Sequence, residues 1–565
     1  MEEKRWIRGV NLGGWLLAER FLTPYLFAVN SCHLSGNLCW YPGQVLSDDP
    51  IYEKYNTSNI CDPSQCIPYQ PIRTMDGNSD YHPLNAQPYN DYPMDEWTLG
   101  QAFANRTLAT LYMERHWDTF LTYQDLIDLK RAGVTHMRVP ISYWIRGDIK
   151  PGEPWIPGGW PYFVRFAKWV REIGGMEIWA DLHGAPGSEN GFDNSGQYLG
   201  GSSGGSTCLG WSHSSYNVER TVDILTDLVQ AMAEEGLQDV ITGFGLLNEP
   251  FFDCDENVLR NYYEQGLSIV RTILGPNTAV FVGDMFRSWK FNNGFWTDDQ
   301  QHYNTYLDSH PYHVFFEQGR SFTPQQHIAY VCRHGKEDVE SCCYEDAPQN
   351  TMPAPGISRI IGEWSAAYDV LPTALTPQIM KTIAARGSAP LLNRTLSNKR
   401  MQFMRNFVEA QMVTYEARDS GLSSGWLFWN FKVEGGAFAE WDFLRGIREG
   451  WIPQLPPPTV ASEDVYGSCY SIHNRTSDDY EAIVEEYPDP RTLDWKQYQG
   501  WDATDDFVLS DPNIPNFRYR QEQYQTWMFW HVVLPALIVI LGILFTFRKR
   551  FTSSRRDRSG YDELK

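Results

Sequence analysis

The strongest indication of the fold of this 565-residue chain is GFGLLNEP, residues 243–250. Residues 240–247 carry no charge and are predicted to form a buried strand, and Asn248, Glu249 and Pro250 follow at its end. A carboxylate costs several kcal/mol to bury unless it is paired or used. Glu249 is therefore expected either to cap the next loop or to take part in chemistry.

A second apolar stretch, RIIGEWS at residues 359–365, also runs into a glutamate, Glu363. Strands that end in carboxylates are what a barrel shows when its active site lies at the carboxyl ends of its strands. Glu249 and Glu363 are therefore predicted to face each other across the mouth of such a barrel.

Further strands and helices alternate around these two stretches. A helical pattern, with apolar residues at helical spacing, resumes at residue 95. Further helices are predicted over residues 160–173, 218–235, 256–274 and 399–418. Eight strands are predicted within residues 7–15, 134–140, 176–183, 240–250, 279–282, 302–316, 359–365 and 425–431. This alternation predicts an α/β fold, a (β/α)8 barrel with long loop insertions.

Three regions stand apart from the alternation. Residues 29–95 contain four cysteines and many Pro, Tyr and Asn without a period, which predicts a long insertion within a catalytic domain of residues 1–450. The Gly- and Ser-rich piece 195–210 is predicted to be a flexible loop beside the third strand. The acidic, Pro-rich segment 451–526 is predicted to cover the barrel or to tether it.

The C-terminal region reads as a membrane anchor. Residues 527–547 contain no formally charged residue and are long enough for a helix to cross a bilayer core of about 30 Å. The basic tail 548–565 follows and is predicted to be cytosolic by the positive-inside rule. The sequence thus predicts a single-pass membrane protein with an extracellular or lumenal catalytic domain. Because MEEKRW at residues 1–6 lacks an apolar signal region, either the true beginning is missing or the span is a tail anchor.

Composition narrows the classes of partner. The net charge of −23 argues against nucleic acid or an anionic membrane surface, since both need a basic footprint. Ten Cys and four Asn-X-Ser/Thr sequons favour an oxidising, glycosylating compartment. No paired CxxC motifs and no His-x-x-x-His pattern occur, so neither a metal nor another cofactor is predicted. The 22 Trp and 31 Tyr fit sugar stacking as well as core packing.

Paired carboxylates at a barrel mouth are typical of glycoside hydrolysis. When the two groups lie about 5 Å apart the configuration is retained, because one protonates the leaving oxygen while the other attacks the anomeric carbon. The acid needs a raised pKa, which a neighbouring negative charge and apolar surroundings supply.

Seven segments occur in a characteristic order: RGVNLGGWLL, HMRVPISYW, DLHGAPGSENGFDNSG, LLNEP, DSHPYHVF, IGEWS and GWLFWNFK. They resemble the fungal exo-β-1,3-glucanases of glycoside hydrolase family 5, over about residues 6–450. The resemblance implies a retaining exo-enzyme that needs no cofactor. Its expected substrate is β-1,3-glucan or a related β-glucoside, from whose non-reducing end it would release glucose in cell-wall or storage-glucan metabolism.

The resemblance also implies roles, carried over motif by motif. Glu249 looks like the acid/base and Glu363 like the nucleophile, with Arg138 orienting the Glu363 carboxylate and keeping it ionised. Asn248 is expected to bind the sugar hydroxyl next to the anomeric carbon. The other matches line the glucose site: His183, His310 and Tyr312 around the nucleophile, Trp429 as the floor, Glu19 and Asp193 on the sugar hydroxyls, and Phe192 and Phe315 as a clamp at the entrance.

Other interpretations stay open at this stage. Asn248 could form an Asx turn before Pro250, and the aromatic residues could simply fill the core. The same carboxylates could cleave another glucoside, such as a glucosylated lipid, which a nearby membrane span would suit. A catalytically silent glucan receptor is a third possibility, although intact Glu249, Glu363 and Arg138 count against it. The insertion 29–95 and the Cys-rich loop 332–355 are expected to shape the pocket rim.

Overall fold

The computed structural model describes residues 5–29, 93–199, 208–287, 304–315, 319, 322–337, 358–369, 396–416, 424–436 and 438–478. The predicted insertion 29–95, except at its ends, lies outside these residues, as do the predicted span 527–547 and the tail 548–565. Within the described ranges, no helix is both long enough and apolar enough to cross a membrane.

Eight parallel strands close into a barrel in chain order. They are β1 (Ile7–Asn11), β2 (His136–Ile141), β3 (Glu177–Leu182), β4 (Ile241–Gly245), β5 (Ala279–Gly283), β6 (Thr305–Ser309), β7 (Ser358–Ile361) and β8 (Gly425–Phe428). Because β8 pairs with β1, the sheet has no free edge. The predicted (β/α)8 barrel is therefore confirmed.

The sixth strand is shorter than the sequence suggested. It was predicted within residues 302–316 but ends at Ser309, and residues 310–315 form a loop. Pro311 explains the early end, since proline has no N–H to donate to a neighbouring strand. The loop begins with His310, so the end of this strand delivers a site residue.

The described helices are α1 (Pro24–Phe27), α2 (Glu96–Ala102), α3 (Arg106–Thr119), α4 (Tyr123–Ala132), α5 (Trp160–Ile173), α6 (Leu209–Ser212), α7 (Ser215–Glu234), α8 (Glu256–Leu274), α9 (Pro324–Glu337), α10 (Asn398–Tyr415), α11 (Phe443–Glu449), α12 (Ser462–Tyr466) and α13 (Cys469–Arg475). Local chemistry sets their ends. Thr122 and Asp125 form a capping box at the start of α4, and Gly133 ends that helix with φ 96°. The predictions over 160–173 and 256–274 match α5 and α8.

Apolar side chains pack in two layers. A large cluster fills the space between the sheet and the helices, and a separate small cluster contains Trp179, Ala279, Phe281, Ile360 and Leu427. All five come from strands, and the Trp179 and Phe281 rings stack at 5.2 Å. The Arg138 guanidinium lies 5.9 Å from the Phe281 ring centroid. The small cluster thus forms an apolar layer beneath the charged residues of the barrel mouth.

Residues 451–478 pack against the end of the barrel where β1 begins. Arg8 and Glu416 form a buried ion pair at 2.6 Å, and Arg8 also donates to the carbonyls of Pro456 and Pro457. A disulfide joins Cys332 in α9 to Cys469 in α13, and a second links Cys208 to Cys254. This first part of the predicted covering segment is therefore integral to the barrel domain.

Candidate active site

The predicted site residues converge because parallel strands bring their carboxyl ends to one face of a barrel. Arg138 lies within β2, while the others follow strands: His183 after β3, Asn248 and Glu249 after β4, His310 and Tyr312 after β6, Glu363 after β7 and Trp429 after β8. Their side chains are buried or nearly so. Residues up to 225 positions apart in the chain thereby come within hydrogen-bonding distance.

Glu363 is held through both carboxylate oxygens. Arg138 Nη1 donates to Oε1 at 2.8 Å, and the Tyr312 hydroxyl donates to Oε2 at 2.8 Å. Burial raises the pKa of Glu363 above its ordinary value, although the positive charges of His310 and Arg138 oppose that shift. Two donors thus fix the direction of this carboxylate in the barrel mouth.

Glu249 is held in a different way. Its backbone has φ 45°, a left-handed conformation that is rare outside glycine and is associated with functional sites. His310 Nδ1 lies 2.7 Å from Oε1, and Asn194 Nδ2 donates to Oε2 at 2.9 Å. Burial raises the pKa of Glu249, but the hydrogen bond and charge of His310 outweigh burial and leave it lowered. This direction is opposite to the raised pKa expected of the acid, and without a ligand Glu249 is held in its ionised form.

The two glutamates are close neighbours. One carboxylate oxygen of Glu249, one of Glu363 and a ring nitrogen of His310 all lie within 4.8 Å of one another. That spacing would also suit a small cation. Hydrogen bonds within the site already occupy these groups, so the arrangement fits proton transfer better. The prediction that no metal or cofactor is needed stays a prediction.

Arg138 connects the predicted residues to three residues that were not predicted from the sequence, Asn11, Asp181 and Asp308. Its guanidinium donates to Asn11 Oδ1 (3.0 Å) and Asn248 Oδ1 (2.7 Å), and pairs with Asp181 (3.1 Å) and Asp308 (3.7 Å). Burial lowers the pKa of Arg138, but the nearby carboxylates, Asp181 first, outweigh it and raise it. Arg138 is thus locked in its charged form.

A sequence signal for these two aspartates exists. Each precedes a site histidine by two residues, as DLH at 181–183 and DSH at 308–310. Alternate residues of a strand point to the same face, so each Asp lies one layer below its His. Asp181 Oδ2 is 2.8 Å from His183 Nδ1, and Asn248 Nδ2 is 3.4 Å from His183 Nε2. The amide of Asn248 is therefore oriented from both ends.

Glu19, Asp193 and the unpredicted Arg20 form one wall. Glu19 is 4% exposed, and its Oε1 has no hydrogen-bond partner among the described residues. Burial raises its pKa well above the ordinary value, and the charges of Asp193 and Glu363 add to that shift. Burial also raises the pKa of Asp193, while the Arg20 charge lowers it. Glu19 therefore lies in the electrostatic environment of the catalytic pair, and Asp193 interacts with Glu19 and Arg20.

The aromatic residues form a floor and two separate groups. The Trp429 ring stacks on His183 at 5.5 Å, and a Cβ at Gly13 would lie 2.6 Å from it, which explains the glycine. Phe192 contacts Phe251 at 5.4 Å. Phe315 is 39% exposed and packs 5.2 Å from Tyr312. The predicted clamp residues thus belong to different groups, and Phe251 was not predicted from the sequence.

Comparison with known proteins agrees with this geometry. Residues 101–392 match the Cellulase family, glycosyl hydrolase family 5. A probable glucan 1,3-β-glucosidase A of Aspergillus fumigatus is 30% identical over 467 residues, covering 79% of this chain and 87% of the relative. A glucan 1,3-β-glucosidase of Yarrowia lipolytica is 27% identical over 463 residues, covering 79% and 88%.

Among solved structures, rutinosidase from Aspergillus niger superimposes with a TM-score of 0.52 at 16% identity, covering 80% of this chain and 98% of that one. At that identity the likeness concerns the fold. The sequence matches carry the assignment further, because they span the strands that supply both glutamates and Arg138. The chain therefore belongs to glycosyl hydrolase family 5 and is a glycoside hydrolase.

Proposed function

We propose that the chain is a retaining exo-β-1,3-glucanase that releases glucose from the non-reducing end of β-1,3-glucan. One observation carries the proposal: carboxylate oxygens of Glu249 and Glu363 lie within 4.8 Å of each other. Retaining enzymes have carboxyl groups about 5–5.5 Å apart, whereas inverting enzymes need a wider gap for water. Relatives named glucan 1,3-β-glucosidase support a β-1,3-glucan as substrate.

The reaction follows from the hydrogen bonds at each carboxylate. Glu363, aligned by Arg138 and Tyr312, attacks the anomeric carbon as Glu249 protonates the departing oxygen. Water then attacks the glycosyl–enzyme bond while Glu249 takes its proton. Asn248 accepts from Arg138 through Oδ1, and its Nδ2, which lies 3.4 Å from His183 Nε2, has a second N–H to donate to a sugar hydroxyl. This contact would strengthen in the transition state.

Exo action is supported by the wall beside the catalytic pair. The charges of Asp193, Glu363 and Glu249 all raise the pKa of Glu19, and carboxyl groups there would accept hydrogen bonds from the hydroxyls of a terminal glucose. Trp429 provides a flat apolar surface for the sugar ring. A site that grips a chain end in this way cuts from that end.

We also propose that residues 527–547 anchor the enzyme in a membrane. The catalytic domain would then be extracellular or lumenal and the tail 548–565 cytosolic, which suits turnover of cell-wall or storage glucan. The two disulfides support an oxidising compartment. In intact vesicles whose cytosolic face is outside, added protease should remove the tail and spare the barrel. Digestion of the barrel in the same vesicles would contradict this topology.

The decisive experiment is proton NMR of the first products formed from a laminarin-type glucan. We expect β-glucose to appear before mutarotation, and we expect Glu363→Gln to abolish it. Glu172→Gln, which changes an exposed carboxyl group on α5, serves as the matched control and should remain active.

Each other outcome has a distinct meaning. α-Glucose as the first product would contradict retention, and internal oligosaccharides would contradict exo action. Cleavage of a glucosylated lipid but no glucan would leave the chemistry intact and change the substrate. Binding of glucan without cleavage of either substrate would identify a receptor.

A further inference from the structure

Asp308 is a buried carboxylate that the proposed reaction does not use directly. It lies near the end of β6 and is 4% exposed, and its Oδ1 accepts no hydrogen bond from the described residues. Its Oδ2 lies 3.4 Å from His310 Nε2 and 3.7 Å from Arg138 Nη2. A Cβ at Gly362 would come within 2.0 Å of Oδ1, so the glycine before Glu363 leaves room for this carboxylate.

His310 lies among three carboxylates, one of which is Asp308. Its Nδ1 lies 2.7 Å from Glu249 Oε1 and 3.6 Å from Glu363 Oε2, while Nε2 faces Asp308. Burial lowers the pKa of His310, but the carboxylates of Glu363 and Asp308 outweigh burial and raise it well above its usual value. Further titratable groups interact electrostatically with these acids: Arg138, His183, Tyr312, Glu19, Glu189 and Tyr263.

This arrangement leaves the acid without its proton. Glu249 is held ionised, yet it has to protonate the leaving group. The nearest group that could supply this proton is His310, whose Nδ1 lies 2.7 Å from Glu249 Oε1. Asn194 donates to the other oxygen of Glu249, which leaves Oε1 as the oxygen that can receive it.

We propose that Asp308 is a positioning residue that keeps His310 protonated on both nitrogens, so that His310 Nδ1 stores the proton that Glu249 delivers. The inference rests on the proposed function and deepens it. When Glu363 bonds to the anomeric carbon, its negative charge is lost and His310 holds its proton less strongly. The Nδ1–H bond breaks, Glu249 Oε1 takes the proton and passes it to the departing oxygen. The attacking water later returns one proton to Glu249 and thence to His310.

The test compares Asp308→Asn with Asp181→Asn. Both changes are nearly isosteric, and each removes one carboxylate from Arg138, but only Asp308 faces His310. We expect Asp308→Asn to move the alkaline limb of the kcat/KM profile toward lower pH by about one unit or more, since an anion about 3.4 Å from the imidazolium is lost. Asp181→Asn should lower the rate and leave that limb in place. Equal movement in both variants would overturn the proposal.

A second measurement is independent of turnover. NMR of the full chain carrying labelled histidine, with His310→Gln used for assignment, reports the protonation of His310 directly. We expect His310 to be doubly protonated at neutral pH in the wild type and to lose a proton at lower pH in Asp308→Asn. A neutral His310 in the wild type would refute the proposal even if glucan is cleaved. If the wild type cleaves no glucan but its His310 is doubly protonated, only the proposed substrate is refuted.

Discussion

Tyr312→Phe isolates one hydrogen bond to the nucleophile. The substitution removes the hydroxyl that donates to Glu363 Oε2 at 2.8 Å and leaves the ring contact with Phe315. Arg138 still holds Oε1. The change therefore tests how much a single donor contributes to keeping Glu363 ionised.

The magnitude follows from the charge of the acceptor. A hydrogen bond to a charged group contributes about 1.5–3 kcal/mol, and one pKa unit corresponds to about 1.4 kcal/mol. The donor favours the ionised form of Glu363, so its loss raises the pKa of Glu363, and a higher pH is needed to form the nucleophile. We expect the acidic limb of kcat/KM to move upward by about one to two pH units.

The assay is the pH dependence of hydrolysis of an aryl β-glucoside. Tyr112→Phe is the control, because its hydroxyl also donates at 2.7 Å, but to the carbonyl of Leu26 rather than to a carboxylate. The control should leave both limbs in place. An acidic limb that does not move in Tyr312→Phe, whatever happens to the plateau rate, would refute the reasoning.

Three further predictions concern stability and substrate binding. Glu416→Gln should lower the free energy of unfolding by about 3–5 kcal/mol, because Arg8 loses its buried partner; an unchanged urea midpoint would contradict this. Arg20→Ala should raise the pKa of Asp193 further and increase KM more than it changes kcat, as steady-state kinetics on a glucan would report. Burial raises the pKa of Glu96 to about 8, above its unfolded value, so wild-type stability should decline as pH rises from about 5 to 8. Thermal melts at several pH values should show a smaller decline for Glu96→Gln than for the wild type. The same decline in both proteins would contradict this explanation.

The fold was accessible from the sequence because its signals are local. Apolar strands that end in Asn248-Glu249 and in Glu363, with amphipathic helices between them, specify parallel strands whose ends meet at one face. The resemblance to glycoside hydrolase family 5 rested on those same strand ends, and the match over residues 101–392 confirms it. The strand at 302–316 was overextended because apolar and aromatic residues continue past Pro311.

The site residues that were not predicted from the sequence are side chains whose role depends on their neighbours in the folded chain. Asn194 lies in a single 3-10 turn and Arg20 in a loop, so neither carries a periodic signal. Only the folded chain brings them to Glu249 and Asp193. Asp181 and Asp308 could be recognised as Asp-x-His pairs, but their shared contact with Arg138 appears only when β2, β3 and β6 lie side by side.

The barrel, the pair of catalytic candidates and the family could thus be predicted from the sequence, because strand and helix periods and the residues at strand ends are local features of the chain. The distance between Glu249 and Glu363, the position of His310 between them and the direction in which each pKa is shifted follow only from the folded chain. The physical reason is that distance and burial set electrostatic energies, and both arise only when strands far apart in the chain close into one barrel.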